Sequence, residues 1–76
     1  MASYSVLIKQ SAAKEIETLP LKGRRRVVAR IHALSDNPRP AGCEKLSGEE
    51  KYRLRQGDYR ILYEIRDREL IVTVYR

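Results

Sequence analysis

The sequence of 76 residues has no tryptophan, no phenylalanine, a single histidine (His32) and a single cysteine (Cys43). Each scarcity excludes something. Without Trp or Phe, the core must be filled by Leu, Ile, Val and the five tyrosines. One cysteine cannot close an internal disulfide, so the fold does not depend on an oxidising compartment. One His and one Cys without clustered carboxylates do not make a ligand set, so no metal and no cofactor is expected. No apolar run approaches the roughly 20 residues of a membrane helix. The N-terminus lacks the basic-then-apolar pattern of a signal peptide. A cytoplasmic protein with no membrane partner is the expectation.

What is abundant is positive charge. Sixteen Lys and Arg face ten Asp and Glu, a formal net charge of +6. Eleven of the sixteen are arginine, whose planar fork donates two parallel hydrogen bonds to phosphate or carboxylate. Such an excess points to nucleic acid, an anionic membrane surface or an acidic protein. Composition does not separate these. A domain this small buries only about 60% of its unfolded surface, so its stability is marginal and a partner chain matters.

Along the chain, Tyr4 to Lys9 reads as a strand. Ser11 suits a helix N-cap, with Ala13, Ile16 and Leu19 inward on a short helix that Pro20 interrupts. Lys22 to Leu34 reads as a second helix whose apolar face is Val27, Val28, Ile31 and Leu34. The run Asp36 to Gly42 is a loop. Glu44 to Leu46 is a short strand or extended chain, and Ser47-Gly48 a turn. Three strands follow, about Lys51–Gln56, Tyr59–Arg66 and Glu69–Tyr75, with turns at Gly57-Asp58 and Asp67-Arg68. The order is β-α-α-β-β-β. The fold class expected is α+β, two N-terminal helices packed on an antiparallel sheet in two layers.

Two-residue turns set a register. Arg55 then lies opposite Arg60, Arg53 opposite Leu62 and Lys51 opposite Glu64; on the next hairpin Arg60 lies opposite Tyr75. Alternation puts Tyr52, Leu54, Ile61, Tyr63, Val72 and Val74 on a core face. Lys51, Arg53, Arg55, Arg60, Leu62, Thr73 and Tyr75 take the other. Two opposed arginines cost about 0.2–1 kcal/mol on the usual cross-strand scale, and a bound phosphate relieves them. The bland alternative is a solvated basic face neutralised by Asp58.

The stretches Asn37-Pro38-Arg39-Pro40, Lys45-Leu46-Ser47-Gly48 and Tyr52-Arg53-Leu54-Arg55-Gln56-Gly57-Asp58-Tyr59-Arg60-Ile61-Leu62-Tyr63 resemble the RelE/ParE toxin superfamily, a likeness that runs from Tyr4 to Tyr75. The resemblance implies a single RelE-like domain, residues 1–76, that is the toxin of a type II toxin–antitoxin module. RelE members enter the ribosomal A site and cut mRNA without a metal, by attack of the RNA 2′-hydroxyl on the adjacent phosphate. The matching catalytic positions are Arg53, Arg55 and Arg60. Many relatives carry lysine at one of the first two; arginine cannot act as a base, because its pKa is above about 12. ParE members inhibit DNA gyrase and are not nucleases. A third reading is a catalytically degenerate subunit that only binds its antitoxin.

RelE-like chains usually continue with a Val-Gly-His-Arg…Tyr segment carrying further catalytic groups. This sequence stops at Arg76. Either it lacks that tail or the site has lost part of its set. Implied partners are a cognate acidic antitoxin, the ribosome and mRNA, with operator DNA reached only through the antitoxin complex. Lys45, Lys51, Arg24, Arg25 and Tyr75 are candidate RNA contacts, though a run such as Arg24 to Arg26 with Arg30 is more often a solvated helix face. His32 reads as a helix-surface residue and Cys43 as structural.

Overall fold

Alternation of apolar and charged residues builds the centre of the molecule. In the computed structural model, which describes residues 3–46 and 50–75, the chain runs β1 (Ser5–Ile8), α1 (Gln10–Glu17), α2 (Leu21–Ala33), β2 (Glu44–Lys45), β3 (Lys51–Gln56), β4 (Tyr59–Arg66) and β5 (Ile71–Val74). The Ser47-Gly48 turn lies outside the described residues. The strands form one sheet in the order β1-β5-β4-β3-β2. The expected α+β architecture holds, and β3, β4 and β5 form the antiparallel meander. β1 extends it differently: it pairs parallel to β5, Val6 beside Val72 and Ile8 beside Val74. The two helices between β1 and the meander carry the chain across the sheet, which is what a parallel return requires. The sheet is therefore mixed.

The helices cover one face. Tyr52, Leu54, Ile61, Tyr63, Ile65, Val72 and Val74 meet Ala12, Val27, Ile31 and Leu34 there. Tyr59 has the same parity and stays half-buried at the rim. Val28 was expected in this stripe but is 38% exposed; it sits next to Val27 around the helix, and the sheet reaches only one of the two. Ala12, rather than Ala13, takes the deep position on α1. Ser11 does not cap α1: the N-cap is Lys9, without a side-chain bond. Pro20 is the N-cap of α2, where its missing N–H is no loss.

A polar clamp ties the loop after α2 to the far end of the sheet. Arg39 donates to both carboxylate oxygens of Asp67, at 3.1 and 2.9 Å, and to the Tyr52 hydroxyl at 3.0 Å. Tyr4 donates to Asp67 at 2.8 Å. These donors, Arg39 first, hold the Asp67 carboxyl below the usual carboxylate range. A lowered folded pKa contributes stability above the unfolded value and loses it as pH falls through the folded one. Thermal melts between neutral pH and pH 3 are expected to fall more steeply below pH 3.8, the ordinary value for this group, in the wild type than in Asp67→Asn.

Candidate functional site

Among the described residues, no element covers the face of the sheet away from the helices. On it the first hairpin brings the basic residues together in the expected register. Arg55 is directly opposite Arg60, Arg53 opposite Leu62 and Lys51 opposite Glu64. The turn is the two-residue Gly57-Asp58, with Gly57 at φ 59°, a conformation that glycine adopts without steric cost. Arg55 and Arg60 are exposed and make no ion pair or side-chain hydrogen bond among the described residues. Asp58 does not fold back onto Arg60 there.

Glu44, which the sequence pattern did not single out, joins the basic residues in the structure. β2 places it opposite Arg53, which donates to it at 2.6 Å. That bond, with the charges of Arg53, Arg55 and Arg60, holds the Glu44 carboxyl below its usual range. β2 ends there, so Leu54 to Gln56 have no strand partner on that edge. Beyond that end opens a cleft of about 610 Å³. Arg53, Arg55 and Arg60 line it together with Glu44, over Leu54 and between Gly42 and Gly57. Arg30 of α2 lines it too. Glu44 is the sole carboxylate among the described lining residues. The short strand expected at Glu44 to Leu46 is a signal for Glu44, but only its register on β3 puts the carboxylate at Arg53. Nothing in the helical pattern separates Arg30 from its neighbours.

The other candidates lie apart from the cleft. Lys45 pairs with Tyr52 in the sheet, so alternation turns it to the helix-side face, where it sits 3.5 Å from Glu50. Arg24 donates to the carbonyls of Glu17 and Leu19 at 2.8 and 3.2 Å and so caps α1. Arg25 is exposed on α2. Tyr75 is not opposite Arg60. The second turn spans four residues, 67 to 70, with Leu70 at φ 54°. That moves the register by two, and the Tyr75 N–H donates to the Leu62 carbonyl at 3.0 Å. Parity is kept, so Tyr75 stays on the basic face, one row further along, with the Lys51 ammonium 5.5 Å from its ring centre.

The result is a small basic α+β domain with arginines gathered on one exposed sheet face. Residues 6–76 match the family described as the ParE toxin of type II toxin–antitoxin systems, parDE. The chain belongs to this family, within the RelE/ParE superfamily, and is a toxin of the type II kind. It is similar to the archaeal RelE of a RelE–RelB complex from Pyrococcus horikoshii OT3, at 25% identity and a TM-score of 0.86, covering 97% of this chain and 91% of that one. It is similar also to a chain of the RelBE2 toxin–antitoxin complex of Mycobacterium tuberculosis, at 28% identity and 0.82, covering 95% and 91%. A chain of the intact E. coli RelBE complex, at 20% identity and 0.83, covering 96% and 92%, shares the fold. No curated protein sequence matches the chain. No helix among the described residues is long and apolar enough to cross a membrane.

Proposed function

We propose that this single RelE-like domain is a ribosome-dependent mRNA endonuclease of the cytoplasm, cutting by attack of an RNA 2′-hydroxyl on the adjacent phosphate. The observation that carries the reading is Arg55 facing Arg60, neither in an ion pair among the described residues, on an exposed face beside a cleft of about 610 Å³. A phosphate seated between them removes the like-charge cost. As the 2′-oxygen adds, the phosphorane gains negative charge. Donors already aimed at it stabilise that state more than the ground state.

Arginine cannot take the 2′-hydroxyl proton, and Glu44 is the carboxylate at hand. It acts as the base. Its lowered pKa keeps it ionised at neutral pH and limits its basicity. The Arg53 guanidinium orients it. Glu44→Gln is expected to slow cutting by about 10²–10⁴-fold, the usual worth of a general base. RNA binding is expected to hold or tighten, because a competing anion is gone. Equal losses in binding and cutting would remove Glu44 from the chemistry.

Primer extension on an mRNA in a translating extract tests the whole reading: cuts at codon spacing are the expected result. Absence of cuts at a protein level that arrests growth overturns it. The matched family carries the ParE name, which favours a second reading, a non-nuclease inhibitor of gyrase. Loss of supercoiling activity without RNA cleavage would establish that alternative. A third outcome, no toxicity in either assay, would leave a subunit that only binds its antitoxin. The relatives solved with RelB and the charge of +6 support an acidic antitoxin as partner, with operator DNA bound through that complex. A size-exclusion run with the protein from the adjacent reading frame is expected to give a single co-eluting peak.

A further inference from the structure

Arg30 lies outside the basic pattern of the hairpin, yet it lines the same cleft as Arg55 and Arg60. It reaches the cleft from α2, in the layer that covers the opposite face of the sheet. Its Nε is buried and has no hydrogen-bond partner. Arg24, on the same helix, also has a buried Nε without a partner, but its terminal nitrogen caps α1. Among the described residues no such bond holds Arg30. A buried, unpaired guanidinium N–H is costly and invites an acceptor.

The geometry points to what that acceptor is. The cleft sits where β2 stops and the edge of β3 is bare. The Lys51 carbonyl accepts from Leu46 on the β2 side, so strand alternation turns the backbone of Arg55 to that same edge. A phosphate between Arg55 and Arg60 is on the open face. Arg30 meets the cleft from the helix layer, on the other side of the edge, so the two sets approach it from opposite sides. We propose that Arg30 holds a second phosphate of the same RNA strand, adjacent to the reacting one. The strand then crosses the bare edge of β3, passing between Gly42 and Gly57, rather than lying flat along the sheet. Gly42 suits such a passage, since a Cβ built there meets nothing within 4 Å and the position is open. The inference rests on the nuclease reading and adds to it a substrate of two or more consecutive phosphates in single-stranded form.

The test compares two labelled RNAs by fluorescence anisotropy over a salt series. One is a tetranucleotide with three phosphodiesters, the other a dinucleotide with one, both 2′-deoxy at the scissile position. Arg30→Gln keeps much of the aliphatic stem and removes the charge. It is expected to weaken tetranucleotide binding about tenfold and to lower the salt slope by roughly 0.7, the value for one phosphate contact on a single strand. Dinucleotide binding is expected to stay as it is. Arg30→Lys restores most of the loss, and Arg68→Gln, in the turn at the far end of β4, changes neither RNA. Equal weakening for both RNAs overturns the inference, since Arg30 then acts at the reacting phosphate. An unchanged salt slope, or no rescue by lysine, overturns it as well, since the role is then structural. Wild type that binds neither RNA overturns this inference, while the nuclease reading, being ribosome-dependent, is decided by primer extension in the translating extract. Wild type that binds normally while Arg30→Gln is indifferent overturns this inference alone.

Discussion

Arg60→Ala is expected to lower mRNA cleavage by about 10²–10³-fold, the usual cost of removing one donor aimed at a developing oxyanion, and to leave the fold at least as stable. The two halves of that expectation separate function from folding. Arg60 is exposed and has no partner among the described residues, so alanine removes no packing. It does remove the repulsion from Arg55 directly across the ladder, which is worth about 0.2–1 kcal/mol in the stabilising direction. Arg55→Glu goes further, replacing the repulsion by an attraction across the same pair. It is expected to raise the melting temperature while abolishing cutting. Such a trade is the mark of residues kept for function against the interest of stability. Thermal melts beside primer extension read both quantities on the same protein. Intact cleavage by Arg60→Ala, or a fall in melting temperature that accounts for the lost activity, would sink the assignment.

The largest structural effect is expected at Tyr63. Its side chain is fully buried and stacks on Tyr52 with ring centres 5.8 Å apart. Its hydroxyl donates to the Pro38 carbonyl at 2.8 Å. Burial pushes that hydroxyl far above the usual tyrosine range, so it remains a donor at every pH at which the protein works. Tyr63→Ala removes a large part of a core that has no Trp or Phe to compensate. A cost of about 3–5 kcal/mol is expected. At roughly 0.05–0.15 kcal/mol per residue, a domain of this length holds only about 4–11 kcal/mol in all, so the alanine variant is expected to lose a large share of its stability and to melt well below the wild type. Tyr63→Phe keeps the ring and loses only the bond to Pro38, at about 1–2 kcal/mol. Urea titrations of the two variants give the size of each contribution. Equal losses would mean that the hydrogen bond, and not the packing, holds the loop.

The first hairpin was legible because two local features agree. Gly57 supplies the positive φ of a two-residue turn, and Tyr52, Leu54, Ile61 and Tyr63 alternate with the arginines. A slip by one residue would bury Arg55, so the register has no alternative. The second hairpin had weaker signals. Asp67-Arg68 reads as a two-residue turn, but Leu70 takes a left-handed backbone and the turn closes over four residues. A slip by two keeps every side chain on its face, so the core was read correctly while the row of Tyr75 was not. The clamp of Arg39, Asp67 and Tyr4 had no sequence signal, because its members are 28 and 63 residues apart.

By itself, then, the sequence determined the two-layer α+β architecture, the core face of the meander and the pairing of Arg55 with Arg60, since these rest on turns and on a period of two. The tertiary structure alone decided that β1 lies parallel to β5, that Lys45 and Arg24 are held away from the cleft, and that Glu44 and Arg30 enter it. Each of these depends on where β2 stops and how α2 crosses the sheet. Packing of distant elements sets both, and no local pattern records it.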